Sequence, residues 1–123
     1  VNYEELQEEL MDRFGEYPDV VAYLLEIGLV KSYLDKVFVQ RVERKENKIT
    51  VQFEKITQRL FLAQDYFKAL SATNLKAAIA ENKGLMEVVF DVRNKKDYEI
   101  LEGLLIFGES LLEIKVSKEG NSL

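Results

Sequence analysis

Apolar residues recur at helical spacing near both ends of the chain and at strand spacing in its middle. Tyr3, Leu6, Leu10 and Phe14 fall on one side of a predicted helix over 3–14, with Met11 beside them. Asn2 is the candidate N-cap of this helix, and acids fill its first turn, where the helix dipole favours them. Gly15 can take the left-handed conformation that ends a helix. A second helix is predicted from near Pro18 to about Lys36. Pro18 suits a first turn because its missing N–H needs no partner there. Val20, Val21, Leu24, Leu25, Ile27, Val30 and Leu34 give this helix a broad apolar face, and Gly28 is its weak point.

The period then changes. Ile49, Val51 and Phe53 alternate with Thr50, Gln52 and Glu54, the mark of a half-buried strand. Residues 37–44 precede it across Lys45-Glu46-Asn47-Lys48, where Asn47 suits a turn. Pairing Arg44 with Ile49 sets Val42 opposite Val51. A second hairpin is predicted between 76–81 and 85–92 through a three-residue loop, Asn82-Lys83-Gly84, which sets Ala80 beside Met86 and Ala78 beside Val88. These small-against-large pairs would make a floor for a helix.

Between the hairpins, Leu62, Tyr66, Phe67 and Leu70 predict a short helix, while Arg59–Ala63 reads equally as strand or helix. The last helix is predicted from about Lys95 to Ile114. Asn94 would be its cap and Asp97 would stand at the capping-box position. Leu101, Leu104, Leu105, Gly108, Leu111 and Leu112 form its expected buried stripe, widened by Ile100, Ile106 and Phe107. The expected fold is α+β: an antiparallel sheet of two β-hairpins packed against helices, with a two-helix N-terminal segment and a long C-terminal helix. Residues 1–114 are expected to form a single domain, and 115–123 a polar, frayed tail.

Composition narrows the chemistry. A length of 123 residues with 47% hydrophobic content describes one globular domain. Cysteine and histidine are absent. Zinc sites built on thiolate and imidazole, disulfides, and triads with a histidine base are therefore excluded. No phosphate loop of the G-x-x-x-x-G-K-S/T type and no calcium loop occurs. The expectation is a domain without enzyme activity, cofactor or metal. No apolar run approaches the roughly 20 residues of a membrane span. The chain opens on Val1 with no signal peptide, which reads as an excised piece of a longer cytoplasmic protein.

Charge is placed unevenly. The net charge is −5. Residues 1–19 hold Glu4, Glu5, Glu8, Glu9, Asp12, Glu16 and Asp19 against Arg13 alone, so the remainder is nearly neutral. Glu5, Glu9, Asp12 and Glu16 stack on one side of the first predicted helix, spaced i, i+4, i+7 and i+11. That face is either solvated surface or a docking surface for a basic partner.

A second candidate is the basic first hairpin with Arg41, Arg44, Lys45 and Lys48. These residues allow nucleic-acid contact or, since no aromatics interleave with them, act as charged protection of strand edges. A third is the pair Glu87 and Asp91 on one strand face. That spacing is ordinary for an exposed strand and a weak signal for paired-carboxylate chemistry.

One segment is more specific. Glu9-Leu-Met-Asp-Arg-Phe-Gly-Glu-Tyr-Pro-Asp-Val-Val-Ala-Tyr-Leu-Leu25, with Asp12-Arg13-Phe14-Gly15 followed by Pro18 and a Leu-Leu helix, resembles the start of the C-terminal domain of bacterial transcription-repair coupling factors. The order of elements over 4–114 is similar as well. The resemblance implies a parent that is an ATP-driven DNA translocase, displacing stalled RNA polymerase and recruiting the excision-repair protein UvrA. It implies that this domain folds back on the parent's own UvrB-like module and masks the UvrA-binding surface, with UvrA as competitor. It places Glu9, Asp12 and Arg13, flanked by Glu5 and Glu16, at that interface, with Phe14 in the core. On this reading the domain contacts neither nucleic acid nor membrane directly.

Overall fold

The alternation of apolar residues in the two hairpins builds a four-stranded antiparallel sheet. The computed structural model describes residues 19–121, with side chains described between 25 and 120. The predicted helix over 3–14, its caps, and the Pro18 start of the next helix lie outside the described residues. Helix α1 (Asp19–Lys36) is followed by β1 (Val39–Lys45), β2 (Lys48–Phe53), a single-turn α2 (Thr57–Leu60) and α3 (Ala63–Ser71). The chain continues through β3 (Lys76–Asn82) and β4 (Leu85–Asp91) to the long α4 (Asp97–Asn121). The strand order is β1-β2-β4-β3, so the two hairpins meet through β2 and β4. The fold is α+β, as the periodicity indicates.

One sheet face carries the core. Ile49, Val51 and Phe53 from β2 and Val88 and Phe90 from β4 are buried on it. Against them pack Val30 and Leu34 of α1 and Ile100, Leu104, Phe107 and Leu111 of α4. Phe53 stands edge-on to both Tyr66 (centroids 5.3 Å) and Phe107 (6.3 Å), and Phe107 is edge-on to Phe90 (5.3 Å). Edge-to-face aromatic pairs of this kind contribute about 0.5–1.5 kcal/mol beyond area burial.

Helix α1 ends without a glycine. Phe38 takes the left-handed conformation (φ 64°), a strained choice for a bulky residue. It is held there on both sides: its carbonyl accepts the Glu54 N–H at 2.8 Å, and the Lys115 ammonium lies 5.1 Å from its ring centroid.

The first hairpin has the expected register, with Val42 opposite Val51 and Arg44 opposite Ile49. Its turn differs in detail, since the positive φ falls on Glu46 (56°) rather than on Asn47. The second hairpin differs by one residue. Its loop has two residues, Lys83 (φ 54°) and Gly84 (φ 82°), the pattern of a type I′ turn. Asn82 therefore pairs with Leu85, Ala80 with Glu87, and Ala78 with Val89. A one-residue slip reverses the faces. Ala78 and Ala80 are exposed on the outer face, and Ala77 and Ile79 line the core in their place.

Other boundaries also shift. Thr57–Leu60 is a helical turn and Phe61 is extended, which resolves the Arg59–Ala63 segment into both conformations. Tyr66 and Leu70 are buried as the helical pattern implies, but Leu62 and Phe67 are each 58% exposed. Phe61 and Ala69 fill the core positions instead. Asn94 forms a left-handed turn residue (φ 63°) and does not cap α4. The helix begins at Asp97, and Glu99 accepts the Lys96 N–H at 3.4 Å, so the capping-box spacing falls on Lys96 and Glu99. The buried stripe centres on Ile100, Leu104, Phe107 and Leu111, while Leu101, Leu105 and Leu112 are only partly buried. The helix also continues past Ile114, where the pattern predicted its end, to Asn121.

Candidate docking surfaces

The acidic positions Glu5, Glu9, Asp12 and Glu16, together with Arg13, lie outside the described residues. In sequence they run directly into α1, which is anchored by its second half. Gly108 of α4 lets α1 approach closely, since a Cβ there would lie 3.1 Å from Tyr33 Cβ and 3.4 Å from Leu34 Cδ2.

The basic hairpin is less free than its composition implies. The Arg41 guanidinium donates to Glu43 at 2.8 Å, and Arg44 lies 3.7 Å from Asp97 at the start of α4. Arg44 sits on the helix-facing side with Ile49, and Arg41 on the open side, so the two arginines do not form one patch. Lys45 and Lys48, opposite each other at the hairpin end, are in no ion pair among the described residues.

The sheet face turned away from the helices is polar, and no described element covers it. Gln40 donates to Gln52 (2.7 Å), and Gln52 to Glu87 (2.9 Å), linking three strands. Glu87 is thus a hydrogen-bond acceptor within the sheet. Asp91 is four residues along the same strand, on the order of 13 Å away at strand rise, too far for a carboxylate pair acting on one bond. No group of three or more acids among the described residues is arranged to hold a metal.

On the helical side, among the described residues, one carboxylate is buried, that of Asp65. Its Oδ2 accepts the Leu62 N–H at 2.8 Å, which starts α3, and the Lys118 ammonium at 2.6 Å. Burial pushes its pKa up, but the Lys118 hydrogen bond, the Leu62 N–H and the charges of Lys118 and Lys68 outweigh it and hold the carboxyl below the usual range. The pair lines an open cleft of about 500 Å³ between α3 and α4. Its role is to tie the two helices together.

A family model for the TRCF domain matches residues 1–64, a span that includes the Asp12-Arg13-Phe14-Gly15 segment and reaches into α3. This chain belongs to the TRCF domain family. The fold agrees: a crystal structure described as the C-terminal domain of transcription-repair coupling factor superposes on it with a TM-score of 0.90, at 92% identity. That match covers 94% of this chain and 72% of the other. Comparison with curated proteins gave no match. The TRCF assignment places this domain in transcription-coupled DNA repair, and no described helix of it is long and apolar enough to cross a membrane.

Proposed function

We propose that this TRCF domain is an autoinhibitory module that acts by binding, with no catalysis of its own. Through Glu9, Asp12 and Arg13, flanked by Glu5 and Glu16, it docks on the UvrB-like module of its own parent chain in the cytoplasm. There it masks the surface that UvrA uses in nucleotide excision repair. The motor that translocates on DNA and displaces stalled polymerase lies elsewhere in the parent.

The observation that supports this reading is the segregation of charge. Seven acids and one base occupy residues 1–19, on a chain whose remaining residues nearly balance. That pattern fits a basic partner surface, and charge complementarity of this kind sets specificity and register. Tethering raises the effective concentration of the domain at its target, so weak intrinsic affinity suffices for masking. The coupling is reciprocal: whatever favours the undocked state strengthens UvrA binding. Calorimetric titration of this chain against the separately expressed UvrB-like module tests the reading. Saturable binding that UvrA displaces supports it, and no heat at low salt and high concentration counts against it.

A further inference from the structure

We propose that the lysine-bearing end of the open sheet face binds the phosphate backbone of duplex DNA. The strand register assembles this surface from distant parts of the sequence. Lys45 stands opposite Lys48, Lys48 opposite Asp91, and Asp91 opposite Lys76, so one row crosses all four strands. Ile49 and Phe90, adjacent along the strands, are buried. Alternation therefore turns this row to the face that no described element covers. Lys45, Lys48 and Lys76 are exposed.

Beyond the row, the loop into α4 adds Arg93, Lys95 and Lys96. Lys76, Asp91, Arg93 and Lys95 line an open polar cleft of about 420 Å³ with Asn74 and Asn94. Among the described residues, Lys45, Lys48, Lys76, Arg93 and Lys96 are in no ion pair. Lys95 lies 3.8 Å from Glu99. Asp91, the one acid in the row, accepts the Arg93 N–H at 3.0 Å.

The chemistry favours phosphate over protein. Protein interfaces concentrate their energy on buried aromatic or aliphatic anchors and are depleted of lysine. Next to this row the face offers Glu43, which Arg41 neutralises at 2.8 Å, then Thr50, Val89 and Ala78, with no anchor. Unpaired cations on flexible stems suit phosphate contact, which needs no such anchor and gains from counterion release. A face without aromatics gives bases nothing to stack on, so duplex is favoured over single strands.

The test is fluorescence anisotropy of a labelled 20-base-pair duplex with the 123-residue chain, titrated at several salt concentrations. The expected result is binding at low salt that weakens with a log–log slope of about −3, corresponding to three or four phosphates. The triple variant Lys48→Glu, Lys76→Glu, Arg93→Glu should bind at least tenfold more weakly with a flatter slope. A control of equal charge, Lys31→Glu, Lys55→Glu, Arg59→Glu, should lose much less. No binding at 20 mM salt, equal loss in both triples, or tighter binding to single strands overturns the proposal. Binding of a peptide spanning residues 1–19 with no duplex bound also overturns it, and assigns the surface to an acidic protein segment.

Discussion

The Lys118 ammonium lies 2.6 Å from the Asp65 carboxylate, joining the last turns of α4 to the first turn of α3. Asp65 is nearly buried, so losing Lys118 leaves a desolvated charge with one backbone N–H. Lys118→Met should destabilise the domain by about 1 kcal/mol at neutral pH, a modest figure because the lysine is partly exposed. The pH dependence follows from the depressed pKa of Asp65 in the folded state. The contribution is fully present above the ordinary carboxylate value and is lost as pH falls through the folded one. Urea melts at pH 7 and near pH 2.5 should therefore show the gap between wild type and variant closing on acidification. An equal gap at both pH values would mean that packing, not charge, makes the contact.

Two helical glycines should respond to alanine with opposite signs. Gly28 in α1 is exposed, and a Cβ there meets nothing within 4 Å. Gly28→Ala should stabilise by about 0.5–1 kcal/mol through helix propensity. At Gly103 in α4 a Cβ would overlap Leu75 Cδ1 and lie 2.7 Å from Leu75 Cγ. Leu75 is itself buried, so Gly103→Ala should cost about 1–3 kcal/mol by overpacking. Adding Leu75→Ala to Gly103→Ala should give less than the sum of the single losses. Thermal melts of the four variants read both signs.

These particulars show what was legible in the sequence. The first hairpin's register follows from strict alternation through Ile49, Val51 and Phe53, because a slip would expose all three. The second hairpin offers no such signal. Leu85, Met86, Val88, Val89 and Phe90 are apolar on both faces, its partner is rich in alanine, and Lys83-Gly84 serves a two-residue turn as well as a three-residue one. With the register off by one, Lys76 and Asp91 could not be set in line with Lys48, and the basic row stayed hidden. The partner of Arg44, Asp97, stands over 50 residues on and is invisible in sequence, whereas Arg41 pairs with Glu43 two residues away. The Asp12-Arg13-Phe14-Gly15 segment was legible because its residues are contiguous.

Tyr66 carries a buried hydroxyl that meets no partner in hydrogen-bond geometry among the described residues. Its neighbour Thr57 donates its own proton to the Glu54 carbonyl at 2.7 Å. Burial raises the phenol's pKa above 10.0, despite the tempering presence of Thr57. Tyr66→Phe should be neutral or stabilising by up to about 1 kcal/mol, because an unsatisfied polar group leaves the core. The sign at high pH follows from linkage. A phenol kept neutral in the fold weakens stability as pH rises through the unfolded value, so the variant's advantage should grow above pH 10. Chemical denaturation at pH 7 and 10.5 checks this. A loss of more than 1 kcal/mol at pH 7 would mean that the hydroxyl is satisfied after all.

The docking and DNA surfaces should be separable, because they occupy different parts of the chain and carry opposite charge. Under the docking proposal, Glu9→Lys with Asp12→Lys replaces attraction by repulsion at a basic partner. Binding to the UvrB-like module should fall by at least tenfold, and unaltered binding should weaken as salt rises. The same double variant should leave duplex binding intact or strengthen it, because it removes acids from a chain of net charge −5. The Lys48, Lys76 and Arg93 triple should do the reverse, keeping module affinity while losing duplex. In the full-length parent, Glu9→Lys with Asp12→Lys should raise UvrA affinity, since a mask that docks poorly competes poorly. A parent in which that variant fails to increase UvrA binding, while the isolated domain has lost its grip on the module, would leave the contact real and the masking role wrong.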